Sequence, residues 1–254
     1  AAAVVGLIIG SFVNVVIHRL PRMLEQQWSQ DVALWLAEQE SGPSPGGVAG
    51  GVANAAPYNL ARPGSHCPAC GHALAWRDNI PLLSYLLLRG KCAACGTGIS
   101  LRYPAIELAT GLLTLALAYH FAWSPALLGA ILFTWALLVL TMIDIDHKLL
   151  PDDITLPLLW LGLLFNLGGT YVSLGDAVIG AMAGYLILWS VYWLFRLVTG
   201  KEGMGYGDFK LLAALGAWLG PLALIPLVFL AACTGAVVGL FMRARGQLRE
   251  GRYV

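Results

Sequence analysis

Charged residues are scarce in this sequence. Of its 254 residues, only 11% are Asp, Glu, Lys or Arg, whereas soluble globular chains average about 25%. Hydrophobic residues make up 58%, and the mean hydropathy is +0.73. So few charges cannot cover so much apolar surface in water. The composition therefore excludes a soluble globular protein and predicts one with several membrane-spanning segments.

The sequence also lacks the marks of a cleaved signal peptide. Ala1–Ile17 contains no charged residue, but no basic stretch precedes it and no small-residue cleavage site follows it. A cleaved leader would need both features. Because the numbering begins at Ala1 rather than at a Met, we interpret this segment as a transmembrane helix trimmed at its start.

Five stretches are free of Asp, Glu, Lys and Arg: Ala1–Ile17, Leu108–Ile143, Ile154–Gly175, Ala177–Phe195 and Leu211–Met242. A spanning helix needs about 20 apolar residues. The second stretch is long enough for two helices divided at Ser124-Pro125, and Gly220-Pro221 divides the fifth. The prediction is an all-α polytopic membrane protein with about seven transmembrane helices. The sixth and seventh would have about 16 residues each, with Asp208–Lys210 extending the sixth.

When these seven segments are placed alternately across a membrane, every Lys and Arg of the chain, 15 in all, falls on one side. The positive-inside rule makes that side cytoplasmic. We therefore predict three parts: helix 1 at residues 1–17, a cytoplasmic domain at 18–103, and a six-helix membrane domain with a basic tail at 104–254.

The cytoplasmic domain contains two segments without cysteine. Met23–Glu40 has the pattern of a short amphipathic helix, which would either lie on the membrane surface or pack against the rest of the domain. Ser41–Pro57 is rich in Gly, Pro and Ala, and this composition indicates a flexible insert.

Four of the five cysteines form two C-x2-C pairs, Cys67/Cys70 and Cys92/Cys95, with 21 residues between the pairs. This pattern is typical of a zinc site, and four thiolates leave no open position for water, so the zinc would be structural. Gly71 and Gly96 follow the pairs at positions that favour a positive φ. Two disulfides are the alternative, which a reducing cytoplasm disfavours.

Few carboxylates lie where a bilayer makes them expensive, and such residues indicate function. Asp144 and Asp146 come at the cytoplasmic end of the third predicted span, and Asp208 at the start of the sixth. Asp144 and Asp208 could converge and share a proton, which is the arrangement that activates water against an amide. Alternatively, Asp144 pairs with Lys148, and Asp208 is an N-cap.

Two further features belong to these regions. Asp152 or Asp153 would suit the N-cap of the fourth span. The glycine run Gly203, Gly205 and Gly207 superficially suggests a phosphate loop, but no strand precedes it. We instead expect these glycines to let an extended substrate approach Asp208 closely.

Together these residues resemble the type IV prepilin peptidase family, the bifunctional leader peptidases and N-methyltransferases of pilus and type II secretion systems. The stretches that carry the resemblance are Gly10–Val15, His18–Pro21, both cysteine pairs, Arg102–Pro104 with Glu107, Ile143–Asp152 and Gly203–Lys210. Through Gly-x-Gly-Asp, the chain is also similar to intramembrane aspartic proteases of the presenilin type. The resemblance implies that Asp144 and Asp208 are the catalytic pair.

The resemblance further implies cleavage of the basic leader of prepilins and pseudopilins at the cytoplasmic face of the bacterial inner membrane. It also implies methylation of the new N-terminus with S-adenosylmethionine. We expect that site in the first loop and the Gly10–Asn14 stretch and assign no individual residues to it. Expected partners are these substrates and the lipid bilayer, and no nucleic acid. Two alternatives are a transporter that uses carboxylates as ion ligands or proton relays, and a noncatalytic assembly factor that docks through the zinc domain.

Overall fold

The computed structural model describes residues 1–41, 58–67, 69–201 and 203–245. Their regular structure is helical, and the only β-type pairing among them consists of two isolated bridges. The helices are α1 (Ala2–Ser41), α2 (Leu83–Leu87), α3 (Arg102–Phe121), α4 (Pro125–His147), α5 (Asp152–Asn166), α6 (Leu174–Thr199), α7 (Tyr206–Leu219) and α8 (Pro221–Ala244), with one 3-10 turn at Trp76–Asn79. The predicted all-α class is confirmed.

Five of these helices, α1, α3, α4, α6 and α8, are long and apolar enough to cross a membrane. The other two apolar segments also form helices, but α5 has 15 residues and α7 has 14. At 1.5 Å per residue these are about 22 Å and 21 Å long, against a hydrocarbon core of about 30 Å. The expected even division of the last apolar stretch is wrong, since α7 is short and α8 has 24 residues.

Both predicted helix breaks are confirmed. Ser124 is the N-cap of α4, where its Oγ accepts a hydrogen bond from the Leu127 N–H, and Pro125 takes the first helical position. Gly220 separates α7 from α8 with φ 77°, and Pro221 begins α8. Proline suits the first turn because its missing N–H would have no helical partner there.

The predicted end of the first helix at Ile17 is not a break in the structure. α1 runs unbroken from Ala2 to Ser41 with Pro21 inside it. No glycine lies between Gly10 and Gly42, so only the proline opposes continuation. Residues 25–39 are exposed. The alternative that this segment packs against the rest of the domain is therefore wrong. The predicted flexible insert, apart from Ser41, lies outside the described residues.

The chain divides into two compact units, Ala1–Pro151 and Asp152–Val254. In the first unit α1 packs along α3, and α4 contacts both helices. A Cβ on Gly10 would stand 2.7 Å from the Glu107 Cα. The glycine of the Gly10–Val15 motif therefore allows the backbones of α1 and α3 to approach closely.

In the second unit α7 is the central helix, packed against α5, α6 and α8. Gly180 of α6 and Gly216 of α7 lie opposite each other, so a Cβ on either one would overlap the carbonyl of the other. Asn166, the last residue of α5, is fully buried. Its amide donates to the Ala217 and Trp218 carbonyls at 2.9 and 3.3 Å, and its oxygen accepts two backbone N–H groups of the following loop.

Candidate active site and metal centre

The four predicted cysteine ligands come together. Their Sγ atoms all lie within 4.8 Å of one another, and Cys67 Sγ is 3.9 Å from Cys95 Sγ. Tetrahedral coordination at a Zn–S distance of about 2.3 Å would place the sulfur atoms about 3.8 Å apart. The cluster therefore fits a metal ion with little adjustment. All four thiols are free, so the alternative of two disulfides is wrong.

Each pair is held by the same backbone turn. The Gly71 N–H donates to the Cys67 carbonyl at 2.9 Å, and the Gly96 N–H donates to the Cys92 carbonyl at 3.0 Å. Both glycines have positive φ, 70° and 72°, as the spacing predicted. A side chain at either position would be strained, since only glycine adopts this conformation without cost.

Hydrogen bonds at Cys67 and Cys95 favour the thiolate, which is the form that binds metal. At Cys70 the opposite holds: a backbone hydrogen bond from His72 is outweighed by desolvation and by hydrogen bonds with the other thiols, which raise the pKa of this thiol to about 11. The Thr97 hydroxyl, 3.2 Å from the sulfur, lowers the pKa of the Cys95 thiol to about 6. Backbone N–H groups, first that of Cys70, lower the pKa of the Cys67 thiol. Neighbouring His66 is exposed, and its Nδ1 lies 2.9 Å from the Gly64 carbonyl.

Asp144 lies in the last turn of α4 and is half-buried. The alternative that Asp144 pairs with Lys148 is wrong. Lys148 takes the left-handed C-cap position at φ 55°, where its backbone N–H donates to the Asp144 carbonyl. Within the described part of the chain, no ion pair joins the two side chains. The Asp144 carboxyl therefore stands at a helix C-terminus, where the helix dipole is negative.

The end of α4 is fixed by the neighbouring carboxylate. Asp146 accepts a forked pair of hydrogen bonds from Arg102 at 2.7 and 2.6 Å. Arg102 begins α3, so this ion pair joins α3 to α4 two residues from Asp144. The sequence did not indicate Arg102 as the partner of Asp146, because the two residues are 44 positions apart.

Asp208 lies in the first turn of α7 and is half-buried. Gly205 is the N-cap, so the alternative that Asp208 is the N-cap is wrong. Asp208 occupies the third helical position, where its N–H donates to the Gly205 carbonyl at 3.3 Å and the positive end of the helix dipole favours a carboxylate.

A second ion pair lies two residues after Asp208. Lys210 Nζ donates to both carboxylate oxygens of Asp152, at 2.8 and 2.6 Å, and so ties α7 to the start of α5. Asp152 and Asp153 are both in the first turn of α5 rather than at its N-cap. Each predicted catalytic aspartate is thus two residues from a side chain that is ion-paired to another helix of its own unit.

The glycines before Asp208 differ in their surroundings. A Cβ on Gly203 would stand 2.8 Å from the Phe195 ring, so packing against this ring also requires glycine at position 203. A Cβ on Gly205 would meet nothing closer than the Asp208 carboxylate at 3.9 Å.

Two other motif residues hold the first unit together. Asn14 Nδ2 donates to the Tyr103 carbonyl at 3.1 Å. Glu107 Oε2 accepts the Leu82 N–H at 2.9 Å, where Leu82 has φ 57° at the start of α2. These contacts give Asn14 and Glu107 structural roles between α1, α3 and the segment before α2.

The fold and these residues define a helical protein with membrane-spanning helices, a four-thiol site that could hold a metal, and carboxylates at two helix ends. Family models match nearly the whole chain. Residues 4–121 match the bacterial peptidase A24 N-terminal domain, and residues 131–240 match the type IV leader peptidase family. The chain belongs to the type IV leader peptidase family.

Several curated proteins named prepilin leader peptidase/N-methyltransferase are similar to this chain. The Aeromonas hydrophila protein is 56% identical over 92% of this chain and 78% of its own length. The Stutzerimonas stutzeri protein is 53% identical over 98% and 83%, and the Pseudomonas aeruginosa protein 51% over 93% and 78%. No solved structure matches the chain.

Proposed function

We propose that this protein is a membrane aspartic endopeptidase that removes the basic leader of prepilins and pseudopilins at the cytoplasmic face of the bacterial inner membrane, with Asp144 and Asp208 as its catalytic pair. The observation that carries the proposal is the family membership, because the matched leader-peptidase stretch, residues 131–240, contains both aspartates. Their placement at helix ends beside interhelical ion pairs supports the same assignment.

The chemistry follows from two carboxyl groups in opposite protonation states. The ionised aspartate takes a proton from water, whose oxygen attacks the scissile carbonyl carbon. The protonated aspartate gives its proton to the leaving amide nitrogen as the C–N bond breaks. Gly205 and Gly207 would leave room for the extended substrate backbone beside Asp208.

The helix ends suggest which aspartate rests as the base. Asp208, at the positive N-terminal end of its helix, would be the carboxylate, and Asp144, at a C-terminus, would be the acid. Because Asn mimics a neutral carboxyl, Asp144→Asn should retain binding of uncleaved substrate better than Asp208→Asn. Equal retention, or better retention by Asp208→Asn, would contradict this assignment.

The deciding experiment is leader cleavage by purified protein in lipid nanodiscs. Asp144→Asn and Asp208→Asn should each lower kcat by at least about 100-fold, whereas Asp153→Asn should cleave like the unmodified protein. Asp153 is the matched control because it is an exposed aspartate in the first turn of a helix. Full cleavage by both dyad variants would overturn the proposal.

The proposed topology has seven crossings, with residues 18–103 in the cytoplasm and residues 104–254 forming the membrane catalytic domain. The helices α5 and α7 are short for a membrane crossing. Ion-paired residues at their ends, such as Asp152 and Lys210, would lie at the interface and complete the crossing. Zinc held by Cys67, Cys70, Cys92 and Cys95 would stabilise the cytoplasmic domain.

N-methylation of the new N-terminus, with S-adenosylmethionine as the donor, completes the proposal. It rests on the family and on the relatives' shared name. In an assay with the labelled methyl donor, the cleaved peptide should gain label at its N-terminal amine. Cleavage without labelling would support the peptidase activity and contradict the proposed methyltransferase activity.

A further inference from the structure

The C-terminal half of α1, Met23–Ser41, is called the α1 extension here. It carries four carboxylates, Glu25, Asp31, Glu38 and Glu40, and no Lys or Arg. All 15 basic residues of the chain lie elsewhere. The extension is therefore an acidic element on the side of the molecule to which the basic residues were assigned.

The α1 extension is too polar and too far along the helix to lie in hydrocarbon. Its 19 residues include ten Glu, Asp, Gln or Ser. The 40 residues of α1 measure about 60 Å, against a core of about 30 Å. Arg19 and Arg22 mark the crossing point, because such residues remain at the interface. The extension thus projects into the cytoplasm.

One face of the extension is apolar. Trp28, Val32 and Trp35 follow the i, i+4, i+7 spacing that places side chains on one side of a helix, and they are 50, 56 and 57% exposed. At 100° per residue, Asp31 and Glu38 border this face on one side and Glu25 borders it on the other. The two indole rings thus have two carboxylates on one side and one on the other.

A bilayer does not suit this face. Helices that lie on membranes carry Lys and Arg on the polar side, and the cytoplasmic leaflet is negatively charged. A cationic peptide does suit it, since Lys or Arg head groups can pair with the carboxylates while their stems and charges contact the indole rings.

We propose that the α1 extension is the docking surface for the positively charged leader of the substrate, held between Trp28 and Trp35 and the carboxylates of Glu25, Asp31 and Glu38. This inference rests on the proposed function, because it assigns a binding surface to the leader that the enzyme removes. The leader's charges serve binding here, whereas Asp144 and Asp208 serve the cleavage of the bond that follows it.

The test measures cleavage in neutral-lipid nanodiscs of two peptides that differ only in the leader, one with its Lys and Arg residues and one with Gln in their place. Glu25→Gln/Asp31→Asn/Glu38→Gln should raise KM for the cationic peptide about tenfold and leave kcat unchanged, since three exposed charge pairs, each weak alone, act together. Added salt should raise KM of the unmodified protein but not that of the variant. Gln26→Ala/Gln30→Ala, on the opposite face, is the matched control.

The outcomes separate this inference from the proposed function. If the unmodified protein cleaves the cationic peptide and the triple variant has the same KM, the docking surface is wrong and the peptidase stands. If the unmodified protein cleaves neither peptide, the proposed function itself is wrong.

A charge-reversed triple variant, Glu25→Lys/Asp31→Lys/Glu38→Lys, gives an independent measurement. It should prefer a leader whose basic residues are replaced by Glu, and failure to gain that preference would contradict the proposal. Brominated-lipid quenching of Trp emission, compared with Trp28→Phe/Trp35→Phe, should show no quenching at these two positions. Quenching there would place the face on the bilayer and overturn the proposal.

Discussion

The ion pair between Arg102 and Asp146 gives a quantitative prediction about the end of α4. The two hydrogen bonds of 2.7 and 2.6 Å form a fork, and the side chains are 39 and 27% exposed. Fully exposed pairs contribute about 0.2–1 kcal/mol, whereas breaking a fully buried pair costs about 3–5 kcal/mol. A partly screened bidentate pair should lie between these limits, and we expect a coupling free energy of about 1–2 kcal/mol.

The measurement is a double-mutant cycle with Arg102→Gln, Asp146→Asn and the double variant. The free energy of unfolding is followed by far-UV circular dichroism during SDS titration in mixed micelles. Each single variant should be destabilised, and the double variant should be destabilised by less than the sum. Additive effects, with coupling below about 0.5 kcal/mol, would refute the reasoning, because independent sites add within that margin.

The same variants test whether the ion pair positions Asp144. If the pair holds the end of α4, Asp146→Asn should lower kcat about tenfold with little change in KM, because small displacements of a catalytic group are costly. Lys148→Gln is the control, since Lys148 shares this helix end and its contact with Asp144 is through the backbone. Loss of activity in proportion to the loss of folded protein would indicate a stabilising role only.

Three further predictions concern other parts of the structure. Asn166→Leu should destabilise the second unit by about 3–5 kcal/mol in the SDS titration, because it removes four hydrogen bonds of a fully buried amide; a change below about 1 kcal/mol would contradict this role. Gly180→Ala should cost about 1–3 kcal/mol because α6 and α7 must separate, whereas Gly175→Ala, where a Cβ meets nothing closer than 3.8 Å, should be tolerated, and equal effects would count against the close contact. Cys67→Ser should reduce bound zinc from one ion per chain to much less and expose residues 58–101 to proteolysis, whereas Cys233→Ser should not; unchanged metal content, measured by elemental analysis, would exclude the four-thiol site.

The local sequence was enough to predict the elements that depend on local chemistry. Scarce charge predicted the membrane helices, Ser124-Pro125 and Gly220-Pro221 predicted helix breaks, and Gly71 and Gly96 predicted the turns that bring the thiols together. These features depend on backbone conformations and side-chain spacings within a few residues, so a sequence pattern records them directly.

Other features were decided only by tertiary packing. The pairing of Arg102 with Asp146 and that of Lys210 with Asp152 depend on which helices lie side by side. Two of the four hydrogen bonds of Asn166 depend on the chain returning 51 and 52 residues later. No local pattern distinguishes a paired aspartate from a solvated one, because its partner is brought to it by the packing of apolar helix faces, which many sequences satisfy equally well.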